Sequence, residues 1–523
     1  MLGFERQRNP EDFSNSTLHM LQDELTAKEL ERFKRIRRAW NFYEGYHWED
    51  LQESEGPELT INYCRAFINK IVSFELGKAF SFTTRKELET IEVQKGTDDH
   101  PARTLFKYLE SVWEDNNQYA FCNEMGQMKA VTGEAWIKVQ YVSKDEVYDP
   151  FNKYPNGRVQ ITLLPSETVW PEFDPHDRKR LVRLTVMYTY ERVTTTGILQ
   201  RRKREKVLYK QVWTDKECTI IDGKREPEVI PNKYGIIPFV CISNVTIACR
   251  TEGYGDLEDI IPVNVEYNTK SSDVSEIIDY HAAPITVVYG AKIGNLEKGA
   301  NKMWGGLAKD AKVQNLEMQS DLSASISYID KLKKEMCEVG GVPETVLGGA
   351  QSISNTSGVA LQYMNLPLIE KCEQKRLNTE DGLERINALI ILISTLEGLI
   401  TKPDDVSTAD YFFTDVDIPD TLPKDELIEL QRIQLEMKLG LESRQKAMRR
   451  MGKENITELM KEIDEDSAAH PFFYGMVPQV EQATPETPEI NSGVTNGSTP
   501  QEELRKEVSG QNGGPATEEL TLD

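Results

Sequence analysis

The chain has 523 residues, of which 39% are hydrophobic and 28% charged, a length that suits three or four domains of roughly 100–200 residues. Its formal net charge of -24 argues against a tight grip on nucleic acid through a basic face, although DNA can still be a neighbour. Seven scattered cysteines without a CxxC pair indicate reduced thiols in a non-oxidising compartment. The opening residues lack the apolar core of a signal peptide, and the most hydrophobic run, 388–400, is too short to span a bilayer.

In the first part of the chain, the spacing of hydrophobic residues changes from one typical of helices to one typical of strands. Residues 1–48 predict mixed-charge helix, and residues 61–78 and 101–131 predict two further helices with apolar stripes. Beyond Gly133, segments rich in Val, Ile, Tyr, Trp and Thr predict strands over 135–142, 158–164, 181–190 and 207–213. A strand over 232–244 contains Pro238, which favours an edge strand or a bulge. The fold class is therefore α+β, with a mostly antiparallel β region packed on helices.

Two long helices are predicted to enclose a small inserted lobe. Residues 256–281 form the first, about 39 Å long, with Pro262 in its first two turns. Residues 316–339 form the second, which Gly340 and Gly341 end. Apolar side chains recur on one face of each helix: Ile260, Val263, Tyr267, Val274, Ile277, Leu322, Ile326, Ile329 and Met336.

The remaining face of the first helix carries small polar side chains: Asn264, Asn268, Thr269, Ser271, Ser272 and Ser275. Such a face suits close packing against other copies of the chain. A heterologous contact of that kind closes into a ring.

A loop of small residues, 348–358, follows the second helix and contains no charged or aromatic side chain. A long helical run over 359–399 comes next, interrupted by Pro367 and Gly382, and a kink is expected near the proline. Residues 421–466 predict two or three amphipathic helices with one shared apolar face: Leu427, Leu430, Met437 and Leu441. From about residue 478 the composition predicts a disordered tail.

Signals for chemistry are weak throughout the chain. The six histidines are isolated, and neither a Walker A motif nor GxSxG occurs. Residues 253–258 begin like a dinucleotide loop but lack its third glycine, which favours a plain turn before a helix. Asp415 and Asp417 could hold a divalent metal, although a loop and capping cluster suits their proline-rich surroundings better. The basic run RRKREK at 201–206 predicts a solvated hairpin tip, with a docking patch for an acidic partner as the alternative.

Several segments resemble, in their order and in their amino-acid sequence, the portal proteins of tailed bacteriophages, specifically the SPP-one type. The resembling segments are NFYEGYHW (41–48), NYCRAFINKIVSFELGKAFSF (62–82), the strand block 133–170, NKYGIIPFVCISN…GYGDLEDI (232–260), VPETVLGGAQSISNTSGVALQ (342–362) and GLESRQKAMRRMG (440–452). The resemblance covers about residues 41–466 and rests on the order of these segments, since no single motif decides it.

The resemblance implies a multi-domain portal fold. Its parts are an α/β wing (1–255), a first stem helix (256–281), a small clip (282–315), a second stem helix (316–344), a tunnel loop (345–358), a long kinked helix returning to the wing (359–420), a helical crown (421–477) and a disordered tail (478–523). Members form twelve-subunit rings at one capsid vertex, through which double-stranded DNA is packaged and ejected. The expected location is the virion, with assembly in the host cytoplasm.

The resemblance also implies partners and site residues. Expected partners are the terminase, the head–tail adaptor, and the major capsid and scaffolding proteins, with no membrane, catalytic residue, metal or cofactor. The DNA-facing loop residues would be Gln351, Ser352, Ile353, Ser354, Asn355, Thr356 and Ser357. Clip docking would use Lys292, Lys298, Lys302 and Trp304. A neutral loop can touch phosphates weakly, whereas Lys–phosphate contacts would hinder sliding DNA.

Two other classes of function stay open at this point. A nuclease or nucleotidyltransferase in the N-terminal region would need convergent carboxylates, and no recognisable spacing relates its candidates: Glu134, Asp145, Asp149 and Asp174. A head–tail connector or baseplate protein that never contacts DNA would be shorter and would lack the loop-to-helix unit after Gly348.

Overall fold

The computed structural model describes residues 25–48, 59–84, 101–196, 201–248, 250–282, 286–289, 312–315, 322–348, 363–402, 407–419, 426–441, 443–451 and 456–469. The chain divides into two compact units, residues 1–425 and 426–523. Helices and antiparallel sheets occur together in the first unit, which confirms the predicted α+β class.

The described residues of the N-terminal part of the first unit contain four helices: α1 Ala27–Glu44, α2 Tyr63–Leu76, α3 Pro101–Asp115 and α4 Gln118–Thr132. α1 begins with a capping box, in which Thr26 and Glu29 each accept a hydrogen bond from the other's backbone N–H. The apolar stripe of α2 is buried as predicted, with Phe67, Ile68 and Ile71 fully enclosed. α3 begins at Pro101, as its sequence indicates, since the missing N–H is harmless there.

The strands that the structure describes are, in chain order, β1 Ser81–Thr84, β2 Glu134–Val142, β3 Arg158–Leu164, β4 Val169–Phe173, β5 Leu181–Thr196, β6 Arg201–Trp213, β7 Glu217–Asp222, β8 Glu228–Pro231, β9 Phe239–Ser243, β10 Thr286–Tyr289, β11 Lys312–Asn315 and β12 Thr414–Asp417. β3, β2 and β9 form one antiparallel sheet, and β4 to β8 form a five-stranded meander. Strand β9 lies at the edge of its sheet as predicted, but it is shorter than the predicted 232–244, and Pro238 immediately precedes it instead of lying at its centre.

The β5–β6 hairpin is longer than its sequence pattern predicted. Thr196 pairs with Arg201, so the basic run 201–206 lies inside strand β6. The prediction that this run forms the hairpin tip is therefore wrong. A continuous run of charged side chains is compatible with a strand whose two faces both contact solvent. The hydrophobic pattern does not reveal such a strand, because neither of its faces is apolar.

Later in the first unit the structure describes three long helices and a short one: α5 Ile260–Ala282, α6 Ser323–Gly340, α7 Leu366–Leu396 and α8 Thr408–Phe412. α5 begins four residues later than predicted, so Pro262 lies in its first turn, where no intrahelical hydrogen bond is lost. Pro367 likewise stands at the start of α7 and opens that helix. Residues 363–364 are helical and Asn365 is a turn residue, so the helical run is interrupted just before Pro367, close to the predicted kink. Between α5 and α6, β10 pairs with β11, which gives the predicted lobe a two-stranded ribbon.

The two largest apolar cores of the described residues connect many of these elements. The first joins the β3–β2–β9 sheet to α3, α4 and the C-terminal half of α7, and it buries the hydrophobic run near residue 390 as predicted. Gly382 does not interrupt α7. A Cβ atom at this glycine would lie 2.4 Å from Ile242 Cγ1, so the glycine lets α7 approach strand β9. The second core joins α1 and α2 to the start of α5, the end of α6 and the start of α7.

The described cysteines carry free thiols. Burial raises the pKa of three of them to about 12: Cys64, Cys122 and Cys372. They act as small apolar side chains in the cores. No helix within the described ranges is long and apolar enough to cross a membrane.

The second unit contains α9 Glu426–Lys438, α10 Arg444–Arg450 and α11 Ile456–Ala469. Arg444 reaches Asp464 at 3.5 Å, an ion pair between α10 and α11. Ile433 is buried, whereas Leu430, Met437 and Leu441 of the predicted apolar face are exposed. The predicted disordered tail from residue 478 lies outside the described residues.

Candidate functional site: paired long helices on a buried charge network

The helices α5 and α6 pack against each other. Ile260, Tyr267 and Met336 are buried in the second core, and Val263 and Ile329 pack on it partly exposed. Of the other residues predicted for this packing, Val274, Ile277 and Leu322 are half-buried, and Ile326 is exposed. The ends of the helices close to the core are therefore held within one chain, whereas their far ends are less enclosed.

Three small polar residues of α5 bind a segment of the same chain, from Leu59 to Ile61, which we call the strap. Ile61 N–H donates to Asn268 Oδ1 at 3.1 Å, and Asn264 Nδ2 donates to Ile61 O at 3.1 Å. Leu59 N–H donates to Ser272 Oγ at 3.0 Å. These side chains recur every four residues and so lie on one face of the helix.

The strap changes the interpretation of that polar face. Asn264, Asn268 and Ser272 were expected to pack against other copies, yet all three are at most 8% exposed within one chain. Their polar atoms satisfy strap groups that have no partner in a sheet. Thr269 and Ser271, from the same predicted set, hydrogen bond to carbonyls one turn earlier in their own helix.

His47 extends the contact between the strap and α5 to the end of α1. Its ring is 2% exposed, with Nε2 lying 2.9 Å from Phe42 O and Nδ1 lying 2.7 Å from Asn268 Nδ2. A carbonyl oxygen can only accept, so Nε2 carries the hydrogen and Nδ1 accepts from Asn268. Burial lowers the pKa of His47, which keeps the ring neutral.

A buried charge network lies where α5 begins. It comprises Glu75 on α2, Lys129 on α4, Asp256 just before α5, and Lys375 and Thr379 on α7. Lys375 Nζ lies 3.1 Å from Glu75 Oε2 and 2.8 Å from Asp256 Oδ2. Lys129 Nζ donates to Glu75 and, at 2.6 Å, to Thr379 Oγ1. Glu75, Lys129 and Lys375 are 0% exposed, so the network lies fully inside the protein.

The four buried charges balance one another. Burial by itself would raise the pKa of Glu75 and of Asp256, but the neighbouring ammonium groups outweigh it and hold both pKa values below their usual range. Burial opposes the charge on Lys375 as well, and the two carboxylates reverse that effect and raise its pKa. For Lys129, burial outweighs the attraction of Glu75 and lowers the pKa.

The end of α6 is fixed beside this network. Gly341 adopts a left-handed φ of 64° and ends the helix, and Val342 N–H donates back to Cys337 O at 3.1 Å. Lys371 Nζ lies 2.9 Å from Gly340 O and 2.9 Å from Asp256 Oδ1. One lysine of α7 thus joins the end of α6 to the beginning of α5.

The structure describes the chain after α6 as far as Gly348. Lys333 Nζ pairs with Glu344 at 2.6 Å, and Val346 and Leu347 pack on the second core. The predicted DNA-facing residues Gln351, Ser352, Ile353, Ser354, Asn355, Thr356 and Ser357 lie outside the described residues, as do the predicted clip residues Lys292, Lys298, Lys302 and Trp304.

The segment that begins like a dinucleotide loop packs on protein backbone. Gly253 lies against Gly133, and Asp256 N–H donates to Ala130 O at 2.8 Å. Its backbone N–H groups therefore do not form a phosphate cradle. The segment is the turn before a helix that its sequence favoured.

The carboxylates considered for catalysis are spread through the fold. Glu134 forms a buried ion pair with Arg32, and Asp149 accepts a hydrogen bond from Tyr154 N–H at 2.6 Å inside a loop. Asp174 accepts from His176 N–H at 2.8 Å. Among the residues with described positions, no three His, Cys, Asp or Glu side chains form a group that could hold a metal ion, and this covers Asp415 and Asp417.

A family model for phage portal proteins matches residues 22–470 of this chain. The chain belongs to the SPP1 Gp6-like phage portal protein family. No curated protein matches the sequence. A solved structure titled "Virion of native gene transfer agent (GTA) particle" contains a chain that is 12% identical, with a TM-score of 0.38, and the match covers 74% of this chain and 89% of that chain.

The buried network of this portal family member escaped the sequence analysis, although a signal for it exists. Lys375 lies one turn after the buried Cys372, and Glu75 and Lys129 each lie one turn after a buried apolar residue of their helix. When the helical period predicts a buried position and a charged residue stands there, that residue is expected to have a buried partner of opposite charge. The helical period cannot identify that partner, because the four charged residues come from separate segments of the chain.

Proposed function

We propose that this chain is the portal subunit that forms a dodecameric ring at one capsid vertex. Double-stranded DNA passes through the ring during packaging and ejection. Family membership over residues 22–470 carries the proposal. In it α5 and α6 are the stem, β10 and β11 belong to the clip, and the second unit is the crown. The assembled protein resides in the virion, after assembly in the host cytoplasm.

The geometry supports a conduit with a firmly held base. The buried charge network and Lys371 fix the start of α5 and the end of α6 to α7, so the stem is anchored close to the proposed tunnel loop. The loop itself offers neutral side chains, which can touch phosphates without forming the salt-dependent contacts of lysine and arginine. Moving DNA would therefore meet a rigid support and a weakly binding surface.

In this proposal the subunit hydrolyses nothing and needs no metal or cofactor. A docked terminase uses ATP, and the head–tail adaptor later takes its place on the clip, where Lys292, Lys298, Lys302 and Trp304 are the proposed contacts. Major capsid and scaffolding proteins surround the ring during assembly.

The loop and the ring can be tested together. We expect Ser352→Lys combined with Asn355→Lys to leave rings intact in negative-stain electron micrographs but to slow or block DNA packaging, because each lysine adds a phosphate contact. The matched control, Ser352→Gln with Asn355→Gln, lengthens both side chains without charge and should package normally. Purified protein that stays monomeric at all concentrations would reject the ring. Rings that package normally with the lysine variant would reject the sliding role of the loop and favour a connector without DNA contact.

A further inference from the structure

The outer part of the β5–β6 hairpin extends beyond its sheet. Its eight residue pairs run from Thr189 opposite Leu208 to Thr196 opposite Arg201, about 25 Å of two-stranded ribbon. On the β6 side, pairing with β7 begins only at Tyr209, and in the part of the chain that the structure describes no third strand adds to the ribbon. We call residues 189–196 and 201–208 the arm. A two-stranded ribbon is only marginally stable in water, so a further surface is expected to support it.

The arm is cationic in an acidic protein. Between residues 191 and 206 its two strands carry six lysine or arginine residues and two glutamates, in a chain of net charge -24. Positions 202, 204 and 206 alternate along the backbone of β6, with a repeat of about 6.6 Å. The Arg204 side chain is 76% exposed and pairs with Glu191 of the neighbouring strand at 3.6 Å, a surface contact that a closer carboxylate can replace.

A complementary surface lies on α7 and β12, and we call it the acidic patch: Glu380, Glu384, Asp415 and Asp417. Asp415 and Asp417 are alternate, exposed residues of β12, so their carboxylates repeat at about 6.6 Å as well. Glu380 and Glu384 follow one turn apart on α7, about 6 Å along the helix, and Glu384 accepts a hydrogen bond from Val416 N–H at 3.3 Å.

The carboxylates of the patch crowd one another. Burial raises the pKa of Glu380 and of Glu384, and the charges of Asp417 and Asp415 raise them further. The exposed cation next to them, Arg385, pairs with Asp381 at 2.8 Å. An incoming cation would relieve this repulsion.

We propose that the arm of one subunit lies on the acidic patch of a neighbouring copy of this chain. Two charged strands with the same repeat would face each other, so that positions 202 and 204 of β6 come opposite Asp415 and Asp417 of β12. The contact joins two different surfaces, which is the heterologous geometry that closes a ring. It also gives a role to the two sequence motifs, the basic run and Asp415–Asp417, that the portal function leaves unused. The inference rests on the proposed ring and names one contact within it.

The test uses the full chain and sedimentation velocity at about 0.05 M and about 0.5 M salt, since exposed ion pairs are screened by salt. Arg202→Glu with Arg204→Glu should dissociate rings into smaller species, and so should Asp415→Lys with Asp417→Lys. Arg178→Glu with Arg180→Glu makes the same change of net charge in the exposed turn before β5 and should leave rings intact. Circular dichroism of each variant serves as the control that its fold is kept.

Mixing the two charge-reversed proteins distinguishes a contact between subunits from one within a subunit. In a mixture, each negative arm can meet a positive patch, and each positive arm a negative patch, so alternating rings should form. Rings in the mixture but in neither protein alone support the proposal. Rings that survive arm reversal, or a mixture that stays dissociated, overturn it. A wild-type chain without rings at low salt rejects the proposed function as well, which separates the two failures.

Discussion

Lys375 lies between two buried carboxylates and has no contact with water. Moving a single charge into the protein interior is costly unless its partners are in place, and removing one partner leaves the others uncompensated. Glu75 and Asp256 both depend on this ammonium group, so its position determines whether α2, the start of α5 and α7 can come together.

We therefore expect Lys375→Met to lower the free energy of unfolding by about 3–5 kcal/mol, as found when one partner of a buried ion pair is removed. Urea denaturation followed by circular dichroism measures the change. The control is Lys331→Met, which removes an exposed pair with Glu335 at 3.4 Å and should cost less than about 1 kcal/mol. Equal effects of the two substitutions would contradict the assigned role of the network.

His47 gives a second prediction at this scale. Its pKa is lowered in the folded protein, so the stability it contributes is complete above its unfolded pKa of about 6.5 and is lost as the pH falls through the folded value. Protonation of Nδ1 would break the hydrogen bond from Asn268. We expect the melting temperature to fall between about pH 7 and pH 5, and His47→Phe to reduce this slope. An unchanged slope in the variant would assign the pH dependence to other groups.

At the scale of elements, two faces of α5 are already covered by other parts of the same chain. The strap takes one polar face, and the second core takes the adjoining apolar residues at the start of the helix. In the proposed ring, surfaces available to other subunits must lie elsewhere on α5 and α6. The sequence pattern of α5 could not distinguish a polar face for another copy from a polar face for its own strap.

Asn268→Ala tests the strap. It removes the acceptor of Ile61 N–H and the donor to His47, so it should cost about 1–3 kcal/mol of unfolding free energy. Hydrogen exchange at Ile61 N–H should accelerate as well. Thr269→Ala is the neighbouring control, because the Thr269 hydroxyl bonds only to Val265 O of its own helix. If hydrogen exchange at Ile61 N–H is as slow in the Asn268 variant as in the control, Asn268 does not hold the strap on α5.

For the whole molecule, the network links acid stability to the anchoring of the stem. The folded pKa values of Glu75 and Asp256 are depressed, so their contribution is present above their unfolded pKa values of about 4 and is lost as the pH falls below them. The melting temperature should therefore fall steeply below about pH 4, and Asp256→Asn should flatten that fall. A slope unchanged by Asp256→Asn would show that surface carboxylates control acid unfolding.

The sequence by itself determined the local elements, because hydrophobic period, caps and proline positions act within a few residues. The buried stripe of α2, the edge strand after Pro238 and the end of α6 at Gly341 were all predictable on that basis, and the order of segments indicated the family. The period alone does not decide whether Pro367 kinks a continuous helix or opens a new one, and the structure places it in the first turn of α7, after an interruption at Asn365. Only the tertiary structure decided the rest. It placed Asn268 against the strap and joined Glu75, Lys129, Asp256 and Lys375. These contacts connect residues far apart in the chain, and burial of a polar group is stabilising only when its partner arrives with matching geometry.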